Sequence, residues 1–177
     1  MSRDELTPFS YTVLVLVGRN GAGPHDLVRM ARQGKIYAAA AESQYYAEPK
    51  RLERLGYLTS RKEPGQTRER THYSLTPKAL EALSAWATQP VLFPRTLHEG
   101  AVRLVAADLV GEAPTRAGIL ALRAELDELD ALMDRAEEVA ATLPHREKYL
   151  RINHRLARRL IDAHRDWVDD VERELEA

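Results

Sequence analysis

The spacing of apolar residues switches from helical to alternating and back within the first ninety residues, and no other feature restricts the fold as much. Thr7-Pro8 reads as a helix start, with a hydroxyl at the N-cap and proline at the first helical position, where its missing N–H costs nothing. Phe9, Val13, Leu16 and Val17 follow at helical spacing, ending at Gly18. After a polar, glycine-rich turn over 19–23, Pro24 opens a second short helix with Leu27, Val28 and Ala31 on one face, closed by Gly34. Ser43 is the expected N-cap of a third helix, which runs to Leu55 and stops at Gly56. The period then drops to two. Residues 57–62 and 71–75 are expected strands, joined by a polar connection punctuated by Pro64-Gly65. Thr76-Pro77 repeats the Thr-Pro start for a fourth helix carrying Ala79, Leu80, Leu83 and Trp86.

Helix, helix, helix, hairpin, helix is the order of a winged helix-turn-helix. The expected fold class is mainly α with a small β-hairpin, a winged helix-turn-helix plus a C-terminal long-helix dimerisation domain. A double-proline segment, Gln89 to Pro94, sets the expected boundary between domains 1–90 and 91–177. As an average, 26 Lys+Arg against 27 Asp+Glu argues against nucleic acid, whose phosphates call for a basic partner. The average is misleading. Residues 1–90 hold 13 basic and 9 acidic side chains, a balance of +4, and the remainder holds 13 and 18, a balance of −5. The basic excess lies on the part with the DNA-binding element order.

On a helical projection centred on Leu52, Tyr45, Pro49 and Leu55 fall within about 60° of it and form the expected buried stripe. Ser43, Ala47, Lys50 and Arg54 lie opposite, flanked by Tyr46 and Arg51. Short side chains between a phenol and cations suit a helix N-terminus entering a major groove, and Gln44 could pair bidentately with adenine. The same pattern also describes a solvated amphipathic face. Pro49 removes one backbone bond and is expected to bend the helix. The hairpin adds Arg61, Lys62, Gln66, Thr67, Arg68 and Arg70, a wing able to reach a minor groove or its phosphates.

Tyr46 with the run from Lys50 to Leu58, and a hairpin ending in His72-Tyr73-Ser74-Leu75-Thr76-Pro77-Lys78-Ala79-Leu80, resembles the PadR family of transcriptional regulators. Proline inside the third helix resembles one subgroup. The resemblance covers residues 6–90 and extends more loosely into the helical half. It implies a homodimeric repressor that binds double-stranded operator DNA and, in some members, a small-molecule effector. It also implies recognition-helix contacts for Ser43, Gln44, Tyr46 and Lys50, and a wing role for the tip from Gln66 to Arg70. The alanine-rich loop over 34–42 departs from the family pattern.

In the second half, Thr96 to Glu99 has capping-box spacing ahead of a helix ending at Gly111. A long amphipathic helix after Pro114-Thr115 carries Leu122, Leu126, Leu129, Met133, Ala136, Val139 and Leu143. A last helix from about His145 to Glu174 carries Leu156, Leu160, Trp167, Val171 and, just beyond it, Leu175. Such seams serve an intramolecular hairpin in part; the expected dimer interface takes Leu122, Leu126, Leu129, Leu156, Leu160, Trp167 and Val171. Trp86, Phe93, Tyr149 and Trp167 are the candidate lining for an aromatic effector where the two domains meet, although core packing also explains them.

With no cysteine, thiolate zinc sites, disulfides and a cysteine nucleophile are excluded. Val102 stands where an HExxH motif starting at His98 needs its second histidine, and the spacing of His145, His154 and His164 does not build a metal site. No phosphate-binding glycine fingerprint and no nucleophile elbow is present. The expectation is a cytoplasmic regulator that is not an enzyme, with no metal, no cofactor and no membrane segment. The competing expectation is a winged-helix adaptor that binds protein and not DNA.

Overall fold

The computed structural model describes residues 5–33, 40–64, 69–94 and 98–175. The chain divides into two compact units, Met1–Leu92 and Phe93–Ala177. The first holds α1 (Pro8–Val17), α2 (Pro24–Gln33), α3 (Glu42–Arg54), β1 (Leu58–Glu63), β2 (Arg70–Leu75) and α4 (Pro77–Ala87). Both Thr-Pro starts behave as expected. Thr7 Oγ1 accepts from the Ser10 amide at 3.1 Å while Ser10 Oγ accepts from the Thr7 amide at 3.0 Å, and Thr76 Oγ1 accepts from the Ala79 amide at 3.3 Å.

The third helix starts earlier than expected. Its N-cap is Ala41, with no side-chain cap, and Ser43 lies inside the first turn. The helix continues through Pro49, whose ring is buried on the core face with Tyr45 and Leu52. These residues join Val13, Leu14, Val17, Leu27, Leu58, Tyr73 and Ala79 in one core. Each fully buried leucine there contributes about 1.5–3 kcal/mol.

The strands pair antiparallel from Leu58 opposite Leu75 to Glu63 opposite Arg70. A further bridge to β2 comes from the turn after α1, where Ala22 and Tyr73 exchange N–H···O bonds of 3.0 Å in both directions. Gly21 makes this docking possible: it has φ +73°, and a Cβ there would lie 2.2 Å from His72 Nε2 and 2.5 Å from the Tyr73 carbonyl oxygen. Gly21→Ala combines a left-handed backbone with a clash against main chain. It is expected to lower unfolding free energy by about 2–4 kcal/mol, read as a fall in the urea midpoint.

The second unit holds α5 (Glu99–Val105), α6 (Ala107–Val110), α7 (Glu112–Leu120), α8 (Leu122–Ala141) and α9 (Glu147–Glu174). The expected N-cap Thr96 lies outside the described residues. α5 is capped instead by His98, whose Nδ1 accepts from the Ala101 amide at 3.0 Å. The single helix expected up to Gly111 breaks at Ala106. The long helix expected after Pro114 is split at Ala121, with Pro114 in the first turn of α7.

α8 and α9 form an antiparallel hairpin. Arg158 on α9 pairs with Asp130, Asp134 and Glu137 of α8, Arg165 pairs with Asp127 and Asp130, and Arg123 near the start of α8 reaches Asp169 and Glu172 near the end of α9. Much of the acidic excess is thus held within the unit. Burial pushes the Asp130 carboxyl up, but hydrogen bonds from Arg165 and Arg158 outweigh it and hold the group below its ordinary value.

The buried residues of α9 are His154, Ala157, Ile161, Val168 and Val171, facing Leu126, Met133, Ala136 and Ala140 of α8. His154 is buried with no hydrogen bond to Nδ1 among the described residues, and desolvation lowers its pKa from 6.5; Glu137 works against that shift and Arg158 adds to it. The unfolded chain therefore takes up a proton that the folded chain resists. Stability from neutral His154 is fully present above pH 6.5 and is lost as pH falls below that value toward the lowered pKa of the folded state. His154→Leu is expected to lose less stability than the parent chain between pH 7.5 and pH 5, measured by urea denaturation at each pH. No helix among the described residues is long and apolar enough to cross a membrane.

Candidate nucleic-acid interface

α3 turns Tyr45, Pro49 and Leu52 into the core, so its other face is fixed toward solvent by packing. Ser43, Tyr46, Ala47, Lys50 and Arg54 are all exposed on it, as the projection from Leu52 requires, and Gln44, about 80° from Leu52 on that projection, is exposed in the first turn. Lys50 and Arg54 make no ion pair among the described residues. A groove of about 570 Å³ runs beside this face, bordered by Tyr46 and Lys50 of α3, the start of α2 at His25, and Arg70 and His72 of β2.

Arg51 is placed differently from expectation. It is half-buried, donates to Glu48 Oε1 at 2.8 Å and to the Glu5 carbonyl at 2.6 Å, while Ser10 Oγ donates to the same Glu48 oxygen at 2.7 Å. This network ties α3 to α1, so Arg51 is a fastener of the domain and leaves the exposed face. On the hairpin, Arg61 pairs with Glu63 at 2.6 Å and Lys62 Nζ donates to Thr71 Oγ1 at 3.0 Å. Arg70 is exposed and makes no ion pair among the described residues. Gln66, Thr67 and Arg68 lie outside the described residues.

Two groove residues were not singled out from sequence. His72 donates Nε2–H to the Asn20 carbonyl at 3.1 Å, with Glu63 Oε2 3.5 Å from its Nδ1. His25 Nδ1 lies 3.0 Å from the Tyr46 hydroxyl. Pro24-His25 marks only a helix start in sequence, and nothing local shows that α2 brings this histidine to α3.

The four candidate effector residues have separate surroundings. Trp86 stacks on Tyr11 with ring centroids 4.7 Å apart in the first unit. Phe93 is 88% exposed and Tyr149 65% exposed. In the second unit, Trp167 lines a cavity of about 480 Å³ with His98, His164 and Arg103. Tyr149 and Trp167 lie on one helix about 27 Å apart, so they do not line the same small cavity.

Of the expected dimer residues, Leu126 and Val171 are buried inside the α8–α9 seam, whereas Leu156 and Leu160 are 51% and 40% exposed. The intrachain seam is set one residue, or about 100°, away from the leucines. Leu122, Leu129 and Trp167 are partly buried. No group of three or more metal-binding side chains occurs among the described residues.

No family model matches the sequence, and no curated protein does. Solved structures do. Bacillus subtilis PadR in complex with operator DNA superposes with a TM-score of 0.74 at 20% identity, covering 95% of this chain and 96% of that one. The Vibrio cholerae virulence activator AphA gives 0.68 at 22% identity, over 96% and 95%. Bacillus subtilis PadR in complex with p-coumaric acid gives 0.67 at 20% identity, over 93% and 94%. Winged domain and long C-terminal helices together, the chain has the fold of PadR and AphA over nearly its whole length.

Proposed function

We propose that this chain is a PadR-like transcriptional regulator, a repressor that binds a palindromic operator as a homodimer and is released by a small aromatic effector. One observation carries the reading: the core-locked α3 presents Ser43, Gln44, Tyr46, Ala47, Lys50 and Arg54 to solvent beside a hairpin, on the fold that PadR uses in its complex with operator DNA. Lys50, Arg54 and Arg70 contact phosphates, and Ser43 and Gln44 read base edges. The connection carrying Gln66, Thr67 and Arg68, together with Arg61 and Lys62 of β1, supplies the flanking contact, for which Arg61 and Lys62 must first leave Glu63 and Thr71.

A stripe on α9 supports the dimer. Tyr149, Ile152, Leu156 and Leu160 follow at helical spacing and are all exposed, an apolar surface left uncovered among the described residues. For the effector, Trp167 borders a cavity within one unit. The experiment is a salt titration of binding to a labelled duplex from the DNA upstream of this coding sequence. A regulator binds with log affinity falling linearly against log salt. A protein adaptor shows no binding at any salt.

A further inference from the structure

We propose that His25 is a positioning residue for Tyr46, setting the phenol hydroxyl that α3 offers to a DNA backbone phosphate; the inference rests on the DNA-binding reading above. His25 Nδ1 and Tyr46 Oη are 3.0 Å apart, and the two rings meet edge to face at 85° with centroids 5.5 Å apart. The pair spans two helices and sits on the wall of the groove that also holds Lys50 and Arg70. Pro24, at the first position of α2, fixes the backbone that carries His25.

Tyrosine oxygen both donates and accepts, and an exposed phenol in water has no fixed polarity. Histidine removes that freedom. With Nδ1 bare, the phenol hydrogen points back to His25 and only lone pairs face outward, which repel a phosphate. With hydrogen on Nδ1, the phenol accepts from His25 and turns its own hydrogen outward, a donor for a phosphate oxygen. A phosphate in the groove selects the second arrangement because it gains a hydrogen bond to an anion. The charged and titratable groups around the pair are Asp26 and Arg29 on α2, Lys50 on α3, Glu63 on β1, Glu69 beside β2, and Arg70 and His72 on β2. Two of the acids are already engaged: Asp26 by the Gly23 amide and Arg29, and Glu63 by Arg61 and His72. Glu69 is the remaining acid, and against it stand Lys50 and Arg70, which leave the wall facing the phenol a net positive charge.

The test is a double-mutant cycle on full-length protein, with fluorescence anisotropy of one labelled upstream duplex and of a scrambled duplex, and thermal midpoints alongside. His25→Phe keeps a ring edge against Tyr46 and deletes Nδ1; Tyr46→Phe deletes the hydroxyl; His25→Asn returns a short amide donor near the position of Nδ1. Each phenylalanine variant is expected to lose about tenfold in affinity on both duplexes. The double variant loses no more than either single one, His25→Asn recovers most of the loss, and thermal midpoints do not move. Losses that multiply to about 100-fold, or an asparagine variant as weak as the phenylalanine one, overturn the positioning role. If the parent chain binds neither duplex, the DNA-binding reading falls and takes this inference with it; parental binding with multiplying losses removes only the inference.

Discussion

Replacing Lys50 and Arg54 together with alanine lowers affinity for the upstream duplex on the order of 100-fold, since each charge-assisted contact is worth about 1.5 kcal/mol or more. The salt slope flattens by about 0.9 for each phosphate contact removed. Both side chains are exposed and make no ion pair among the described residues, so truncating them breaks no salt bridge there. The double variant should therefore retain the parent's urea midpoint and its oligomeric mass. Anisotropy at several salt concentrations, with sedimentation of the same samples, reads all three quantities. Unchanged binding would show that the α3 face is not the contact surface.

The second large effect concerns α9. Leu156→Glu with Leu160→Glu places two charges on the exposed apolar stripe while leaving the α8–α9 seam intact, because that seam uses Ala157, Ile161, Val168 and Val171. Both leucines are already about half covered in the single chain, so burying the rest of each in a dimer is worth about 1 kcal/mol. The variant is expected to sediment near the 20.0 kDa of one chain, with unchanged helical circular dichroism. The parent is expected at twice that mass. Operator affinity falls at least about 100-fold, since two half-sites are no longer held at a fixed spacing. A parent that already sediments as one chain would contradict the dimer outright.

Local chemistry made the winged unit legible. Two Thr-Pro starts, the stops at Gly18 and Gly56 and the change of period after Gly56 each act within a few residues, and the structure follows them. The buried face of α3 was readable for the same reason, since Tyr45, Pro49 and Leu52 recur at helical spacing. What sequence spacing did not reveal depends on partners far along the chain. Arg51 has the chemistry of a DNA contact, yet Glu48 one turn earlier and the Glu5 carbonyl ahead of α1 claim it. His25 meets Tyr46 only because α2 and α3 pack in one particular register. In α9, leucines dominate the apolar pattern, while the chain buries the smaller Ala157 and β-branched Ile161 in the seam with α8, which itself buries Ala136 and Ala140. Helix breaks at Ala106 and Ala121 carry no proline or glycine at the break itself, so no local punctuation marks them.

In a homodimer, a pair of α3 faces is expected to read one operator. Footprinting the full-length protein on the DNA upstream of its own coding sequence tests it most directly. A salt-sensitive footprint is expected, with two symmetric protected half-sites centred one helical turn or a whole multiple of about 10–10.5 bp apart. Protection at no site, across salt concentrations down to the lowest at which the protein stays folded, would contradict it.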